Sequence, residues 1–389
     1  MKTLGIISEF NPFHNGHKYL LDKAKRELNP DLSLSIMSGD FVQRGEASIM
    51  DKFTRASIAI QSGFDLIVEM PSFVSLQSAE FFALKSVSIL DKMNVDYLVF
   101  GIENIVVDEF LSKSKIIIEN QNNIDILIKE ALNTGLSYPK AYNLAISNLV
   151  GSEFISSNNV LALEYLRAIY KINSKIRPYP IERIKTLNKD DTIKDKVYAS
   201  STAIRNNIDY NINKLMPEIS YQGLVDFRNR FQMFDEEIVY NIFRFKLLIE
   251  NTPMHEVIGY EEGIDKYLLK LAQDSLSYND FLKQCTSQRY TRSRIKRLVI
   301  NYILYNKTSL NDTVISFIKV LGYNVHAANN FHKFSKNLEI IISKKNLNKL
   351  DEKNLQIYNK MIEASNLYSL GTNRNYYYDY KHNNRPIKW

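Results

Sequence analysis

Only one cysteine, Cys285, occurs in 389 residues, and only one tryptophan, Trp389. A lone cysteine excludes an internal disulfide and suits a reducing compartment. No apolar run approaches the roughly 18 residues of a membrane-spanning helix. The opening MKTLGIISEF has too short an apolar run, wrongly flanked, for a secretion signal. The expectation is a cytoplasmic protein without membrane contact and with no obligate protein partner evident. Neither sign of charge is missing: 50 Lys and Arg against 43 Asp and Glu leave +7, a mild lean toward a polyanionic partner. A hydrophobic share of 45% and a length for two or three domains place the chain among ordinary globular proteins.

What is present concentrates first in residues 5–21, GIISEFNPFHNGHKYLL. A short apolar run over 4–7 suits a buried strand. Asn11-Pro12 and Asn15-Gly16 break it into a turn. From His17 onward the pattern suits an amphipathic helix. The first N–H groups of such a helix lack intrahelical partners and attract anions. His14 and His17 add two imidazoles there, and Gly16 lets a ligand approach the backbone. As structure alone this is a capped helix with two surface histidines. A zinc site is disfavoured, since Cys285 is remote and no third ligand is near, so no metal ligands are assigned.

Strands are expected again over 33–37, 65–69 and 97–100, alternating with helices over 52–61 and 79–90. Such alternation predicts a doubly wound α/β fold with its ligand crevice at the carboxyl ends of parallel strands. Residues 116–128 and 143–150 read as helices interrupted at Pro139. Asn158 and Asn159 precede an apolar helical pattern, where asparagine commonly caps. A short strand over 181–185 carries Arg183. Ser200, Ser201 and Thr202 stand before a helix bearing Arg205, and hydroxyls with free N–H groups at a helix start make a phosphate cradle. The bland alternative is a serine-rich cap beside a surface arginine.

From about residue 211 helical periodicity dominates, over 236–250, 260–272, 294–305 and 310–321. Within it KQCTSQRYTRSRIKR, residues 283–297, holds Lys283, Arg289, Arg292, Arg294, Lys296 and Arg297 and no acid. Charge runs are usually solvated faces, but one without local acids is not self-neutralised and suits phosphate contacts. The tail over 372–389 is rich in Asn and Tyr and suits either folding back or stacking on RNA.

His14-Asn15-Gly16-His17 resembles the HxGH signature of nucleotidyltransferases and class I aminoacyl-tRNA synthetases. Residues 38–65, SGDFVQRGEASIMDKFTRASIAIQSGFD, resemble nearly in full a motif of the bacterial tRNA(Met) cytidine acetate ligase family. The chain departs at Ala47 and Met70, where that family usually carries Pro and Leu. Residues 158–165, Arg183-Ile184, the stretch through Arg205 and Arg289-Tyr290-Thr291 with Arg294 and Arg297 match further family elements; residues 186–189 depart from them.

The resemblance implies a Rossmann-like nucleotidyltransferase domain over 1–210 and a mainly α-helical tRNA-binding domain over 211–389. It implies ATP along Ile7, Ser8, Glu9, Phe10, Asn11, Pro12, Phe13, His14, Asn15, Gly16, His17, Lys18, Tyr19 and Leu20. Further nucleotide contacts are implied at Gly101, Asn158, Asn159, Arg183 and Ile184, and at Ser200, Ser201, Thr202 and Arg205. His14, His17 and Arg205 would serve catalysis. Asp40 is a candidate catalytic group and, with Gln43, a candidate for an acetate slot, because both follow a strand's carboxyl edge. The implied reaction converts acetate and ATP to acetyl-adenylate, then acetylates N4 of the wobble cytidine of elongator tRNA(Met). Magnesium is expected with the phosphates, without a diagnostic ligand set. An adenylyltransferase acting on a small phosphorylated metabolite shares both phosphate motifs but leaves the basic run unexplained. A non-catalytic RNA-binding protein leaves His14, His17 and Arg205 unexplained.

Overall fold

The structure, a computed structural model, describes the chain except residues 152, 153, 155, 184–194, 196, 376–386 and 389 and the side chains of Pro139 and Ser157. Ile184, the departure at 186–189 and most of the Asn/Tyr-rich tail with Trp389 lie outside the described residues.

Among the described residues the strands are β1 (Thr3–Ser8), β2 (Leu32–Ser38), β3 (Phe41–Val42), β4 (Glu46–Ala47), β5 (Leu66–Met70), β6 (Tyr97–Ile102), β7 (Arg177–Glu182), β8 (Phe317–Tyr323), β9 (Glu339–Ile341) and β10 (Ile387–Lys388). Eight of them form one sheet in the order β10-β8-β5-β2-β1-β6-β7, with β9 on β8. The pairs from β5 through β2, β1 and β6 to β7 are all parallel. The order leaves β1 in one direction through β2 to β5, then resumes on its other side at β6. That reversal opens a crevice beyond the carboxyl ends of β1 and β6, where ligands of doubly wound sheets bind.

All seven residues of β2 are buried although three are serine. Ser35 meets Ser8 Oγ at 2.8 Å and donates to the Ile6 carbonyl at 3.0 Å, and Ser33 donates to Asp65 at 2.7 Å. With Ser33 and Ser35 satisfied, a strand flanked on both faces tolerates them, whereas Ser38 Oγ, at the carboxyl end, is buried without a hydrogen-bond partner among the described residues.

Two cores lie on the two faces. One joins Leu21 and Ala24 of the helix Asn15–Leu28 and Phe53 and Ala59 of the helix Lys52–Gln61 to Phe243, Phe281 and Tyr302 of the helical half. The other packs Leu34, Val68 and Leu98 against helices of residues 79–171. The helical half also reaches the loop after β1 directly, through Ser220 Oγ donating to the Phe13 carbonyl at 2.6 Å.

The α/β architecture followed by a mainly helical part is as expected, with local corrections. Residues 310–321 are not a helix: a short 3-10 turn, Thr308–Asp312, leads into β8, antiparallel to β5. Phe317, Ile318, Val320 and Leu321 are buried on both faces of the sheet, so their run satisfies a helix pattern and a buried strand equally. The chain therefore returns to the first sheet after residue 316. Pro139 does not interrupt a helix but lies in the first turn of Tyr138–Val150, where its missing N–H costs nothing. The helix expected over 116–128 is two helices, Val107–Glu119 and Gln121–Asn133, parted at Asn120. The strand carrying Arg183 runs Arg177–Glu182 and ends just before it. No described helix is long and apolar enough to cross a membrane.

Candidate active site

The loop after β1 builds the centre. His14 is the N-cap of the helix Asn15–Leu28, and its Nδ1 accepts the Gly16 N–H at 3.0 Å. His17 returns the bond, its Nδ1 accepting the His14 N–H at 3.2 Å. A side chain on Gly16 would put its Cβ 2.9 Å from the His14 ring, so glycine is what lets the ring lie there. The two imidazoles stack, centroids 3.8 Å apart and planes 25° apart. Phe10 and Phe13 pack on His17 at 5.1 and 5.6 Å.

Burial dominates the electrostatics. It holds His17 down to about 3, helped by Arg183. It holds His14 well below the ordinary range, helped by His17, Arg183 and Arg205. Both rings are neutral at pH 7. Because each Nδ1 accepts a backbone N–H, the single ring proton of each belongs on Nε2. Two N–H donors result, held in place before an anion arrives.

Arg205 is the third member. Its Nη1 donates to the Asn11 carbonyl at 2.9 Å and its Nη2 lies 3.4 Å from Thr202 Oγ1. Ser200 caps the six-residue helix Ser201–Asn206, accepting the Ala203 N–H at 3.0 Å, and its own O–H stays available as a donor. Asn15 brings this segment to the histidines by donating to the Val197 and Lys214 carbonyls, both at 2.8 Å. The two phosphate motifs, nearly two hundred residues apart, thus share one cleft.

Across the crevice, Glu103 follows β6. Arg183 Nη1 reaches Glu103 Oε1 at 2.9 Å, and Asn158 Nδ2 contacts the same oxygen. The Arg183 stem lies over Gly101, where a Cβ would sit 3.0 Å from Arg183 Cγ. Asn159 is fully buried and spends its amide on backbone: it accepts from Glu103 N at 2.9 Å and donates to the Glu103 and Phe154 carbonyls at 2.9 and 3.1 Å. Of the two asparagines, only Asn158 shows its amide to the cleft charges. Glu103 was not singled out from sequence, although an acid directly after a strand's carboxyl end is the signal that marks it.

The remaining expected residues fall into place around this core. Ile7 and Ser8 end β1, and Glu9 follows, its Oε1 accepting the Gln43 N–H at 2.8 Å while burial raises its carboxyl. Lys18 pairs with Asp22 at 2.5 Å on the helix surface, whereas Tyr19 and Leu20 pack against the core. Asp40 is buried: its Oδ1 accepts the Lys52 N–H at 3.0 Å and its Oδ2 accepts Ser365 Oγ at 2.5 Å. With both oxygens engaged by the fold, its place is that of a structural brace rather than a free base. Lys52 bridges to Glu69 at 2.7 Å, and Glu69 to Lys319 of β8 at 2.8 Å. Arg55, wholly buried, ties the strand ends together by donating to the carbonyls of Met50, Glu9, Ser38 and Gly39.

The basic stretch divides. Lys283, Arg289, Arg292 and Arg294 lie at or near the surface. Arg289 and Arg294 both hold Glu261, and Arg292 bonds Asn279 at 2.8 Å. Lys296 is instead only 5% exposed and pairs with Glu46 and Glu236 at 3.2 and 3.1 Å. Arg297, lowered to about 10 by burial and by Arg294, donates to the Gln43 carbonyl at 3.1 Å. The acids missing from the run are supplied from elsewhere in the chain, and two of its six cations, Lys296 and Arg297, turn to Glu46 and Gln43 of the β3–β4 hairpin.

No group of three or more His, Cys, Asp or Glu that could hold a metal ion occurs among the described residues.

A family model described as HIGH Nucleotidyl Transferase matches residues 1–383. A tRNA(Met) cytidine acetate ligase from Clostridium botulinum (strain Kyoto / Type A2) is 34% identical, covering 96% of this chain and 95% of its own. The protein of that name from Caldicellulosiruptor bescii is also 34% identical, covering 88% of this chain and 87% of its own. Among solved structures, Thermotoga maritima TmcAL without ligand superposes with a TM-score of 0.88 at 28% identity, over 100% of this chain and 99% of that one. The same protein bound with alpha-thio ATP gives 0.86 with the same identity and coverage. The chain belongs to the HIGH nucleotidyltransferases and, among them, to the tRNA(Met) cytidine acetate ligase family.

Proposed function

We propose that this protein activates acetate with ATP and acetylates N4 of the wobble cytidine of elongator tRNA(Met), acting in the cytoplasm. The observation that carries the reading is the neutral, stacked pair His14–His17 with Nε2–H groups beside Arg205. In the first step an acetate oxygen attacks the α-phosphorus, the bond to the bridging oxygen breaks, and pyrophosphate leaves with the electron pair. Negative charge grows on the phosphates in transit. Donors already oriented in the site stabilise that charge more than they stabilise ground-state ATP. Rising charge also draws protons toward the imidazoles, whose neutral state at rest keeps the empty site free of repulsion with Arg183 and Arg205. In the second step the cytidine amine attacks the acetyl carbon, AMP departs, and the amine loses one proton.

Ser200, Ser201, Thr202 and Arg205 receive the β- and γ-phosphates in this reading. Arg183 and Asn158, aligned by Glu103, border the adenosine. Magnesium would travel with the nucleotide phosphates, and no step depends on a protein site for it. Residues 1–210 bind ATP, and the helical part within 211–389 offers Lys283, Arg289, Arg292 and Arg294 to tRNA phosphates.

The test is purified protein with ATP, magnesium, labelled acetate and total tRNA, read by nucleoside mass spectrometry. Acetylcytidine that requires both ATP and tRNA is expected. AMP transfer to a small metabolite, with no label in RNA, would replace the ligase reading by an adenylyltransferase.

A further inference from the structure

We infer that Glu46 and Lys296 are positioning residues of the nucleotide site: Lys296 holds Glu46, and Glu46 holds the Arg205 guanidinium at the phosphate cradle. The inference rests on the reading of residues 200–205 as that cradle. It moves Lys296 from an RNA contact to a part of the ATP machinery.

The geometry is a relay of three charges. Lys296 Nζ lies 3.2 Å from Glu46 Oε1, and Glu46 Oε2 lies 3.6 Å from Arg205 Nη2. The other terminal nitrogen of Arg205 is fixed on the Asn11 carbonyl at 2.9 Å. Two separate elements, the loop after β1 and the β3–β4 hairpin, therefore orient one guanidinium.

The hairpin itself is held on three sides. Gly45, at φ +74°, presses so closely on the helix Arg292–Ile303 that a Cβ would fall 2.5 Å from Arg297 N. Arg297 Nη1 bonds the Gln43 carbonyl at 3.1 Å, and Gln43 N–H bonds Glu9 at 2.8 Å. A carboxylate so placed has a defined direction.

Lys296 matters electrostatically because Glu46 faces a cleft meant for polyphosphate. A lone carboxylate there would repel the ligand and absorb the charge of Arg205. A buried ammonium neutralises Glu46, so Arg205 keeps its charge for phosphate. Glu236, the second partner of Lys296, is half exposed and remains solvated without it.

This arrangement predicts an unusual ordering of variants, measured by calorimetric titration of the full chain with MgATP and, separately, with tRNA(Met) transcript. Lys296→Met raises the ATP Kd about tenfold by exposing Glu46, and adding Glu46→Gln brings it back to within about threefold of the parent. Lys296→Arg retains ATP binding, and tRNA affinity of Lys296→Met stays within about twofold of the parent. Glu46→Gln alone, with Lys296 in place, lowers kcat of acetate-dependent pyrophosphate–ATP exchange about tenfold at near-parental ATP Kd. A double variant no better than Lys296→Met, or weakened tRNA binding with ATP binding intact, overturns the inference. So does an unchanged exchange rate in Glu46→Gln. A parent chain that binds no ATP overturns the cradle reading and the inference together. One that binds ATP but makes no acetylcytidine overturns only the ligase reading, and the Kd ordering still decides the relay.

Discussion

The histidine loop and the basic stretch carry equally dense sequence motifs, yet the fold treats them differently. In residues 10–17 the motif's residues form one local unit: His17 accepts the His14 N–H, His14 accepts the Gly16 N–H, Phe10 and Phe13 pack on His17, and the sequence neighbours are the spatial neighbours. In residues 283–297 a single run is divided by helix geometry. Arg289, Arg292 and Arg294 face outward, while Lys296 and Arg297 turn to the β3–β4 hairpin. A motif closed on itself can be interpreted from its own residues. A motif whose partners come from remote segments is assigned by burial, and burial is a property of the whole fold.

The sharpest way to break this contrast is His14→Ala. Removing one preoriented donor should lower the rate of adenylate formation by roughly 10²–10³-fold. His17→Ala should act likewise, chiefly on the rate and little on ATP affinity. Acetate-dependent exchange of pyrophosphate with ATP reads both, and unchanged exchange removes the histidines from catalysis.

Next is the seam between the regions. Gly45→Ala forces a side chain into a backbone at positive φ and should destabilise the protein by about 1–3 kcal/mol. Thermal melting measures it. ATP affinity should fall with it because the hairpin carries Glu46. A variant as stable as the parent would mean that the hairpin is not wedged on the helix.

The outward cations give a smaller and salt-dependent effect. Arg289→Ala with Arg292→Ala should weaken tRNA binding and lower the log–log salt slope by about 1–2, leaving ATP titrations unchanged. Equal loss of ATP binding would make the outward arginines structural and erase the division.

A separate effect is on acid stability. His17, held near 3 when folded, has an ordinary value of about 6.5 when unfolded. Between those values the unfolded chain binds more protons, so stability falls as pH drops from about 6.5 toward 3. His14 is shifted in the same direction. Glu9, raised by burial, works oppositely and opposes part of the fall. His14→Gln with His17→Gln should therefore lose less stability between pH 7 and pH 5 than the parent in denaturant titrations. Parallel curves would show that the imidazoles are not desolvated.

Much of the site was legible because its chemistry is local. Strands β1, β2, β5 and β6 are short apolar runs bounded by turn residues, and the crevice follows from their alternation with helices. The histidine loop and the Ser200–Arg205 element announce themselves by residue type. Glu103 was missed because one acid after a strand has no periodic or spacing signature. Its meaning comes only when Arg183 and Asn158 converge on it. The strand β8 was misread because a mostly apolar run buried on both faces, Lys319 included, has no period to distinguish it.

The amino-acid sequence by itself determined the histidine loop with its capped helix, the doubly wound sheet and the family, since caps, turns and apolar runs act over a few residues. Only the tertiary structure decided which cations of 283–297 lie at the surface and which is buried against Glu46 and Glu236, that Asp40 braces the fold, and that Asn158 rather than Asn159 meets the Glu103 carboxylate. Those assignments depend on desolvation and on charge partners tens to hundreds of residues away, and neither quantity exists until the chain is packed.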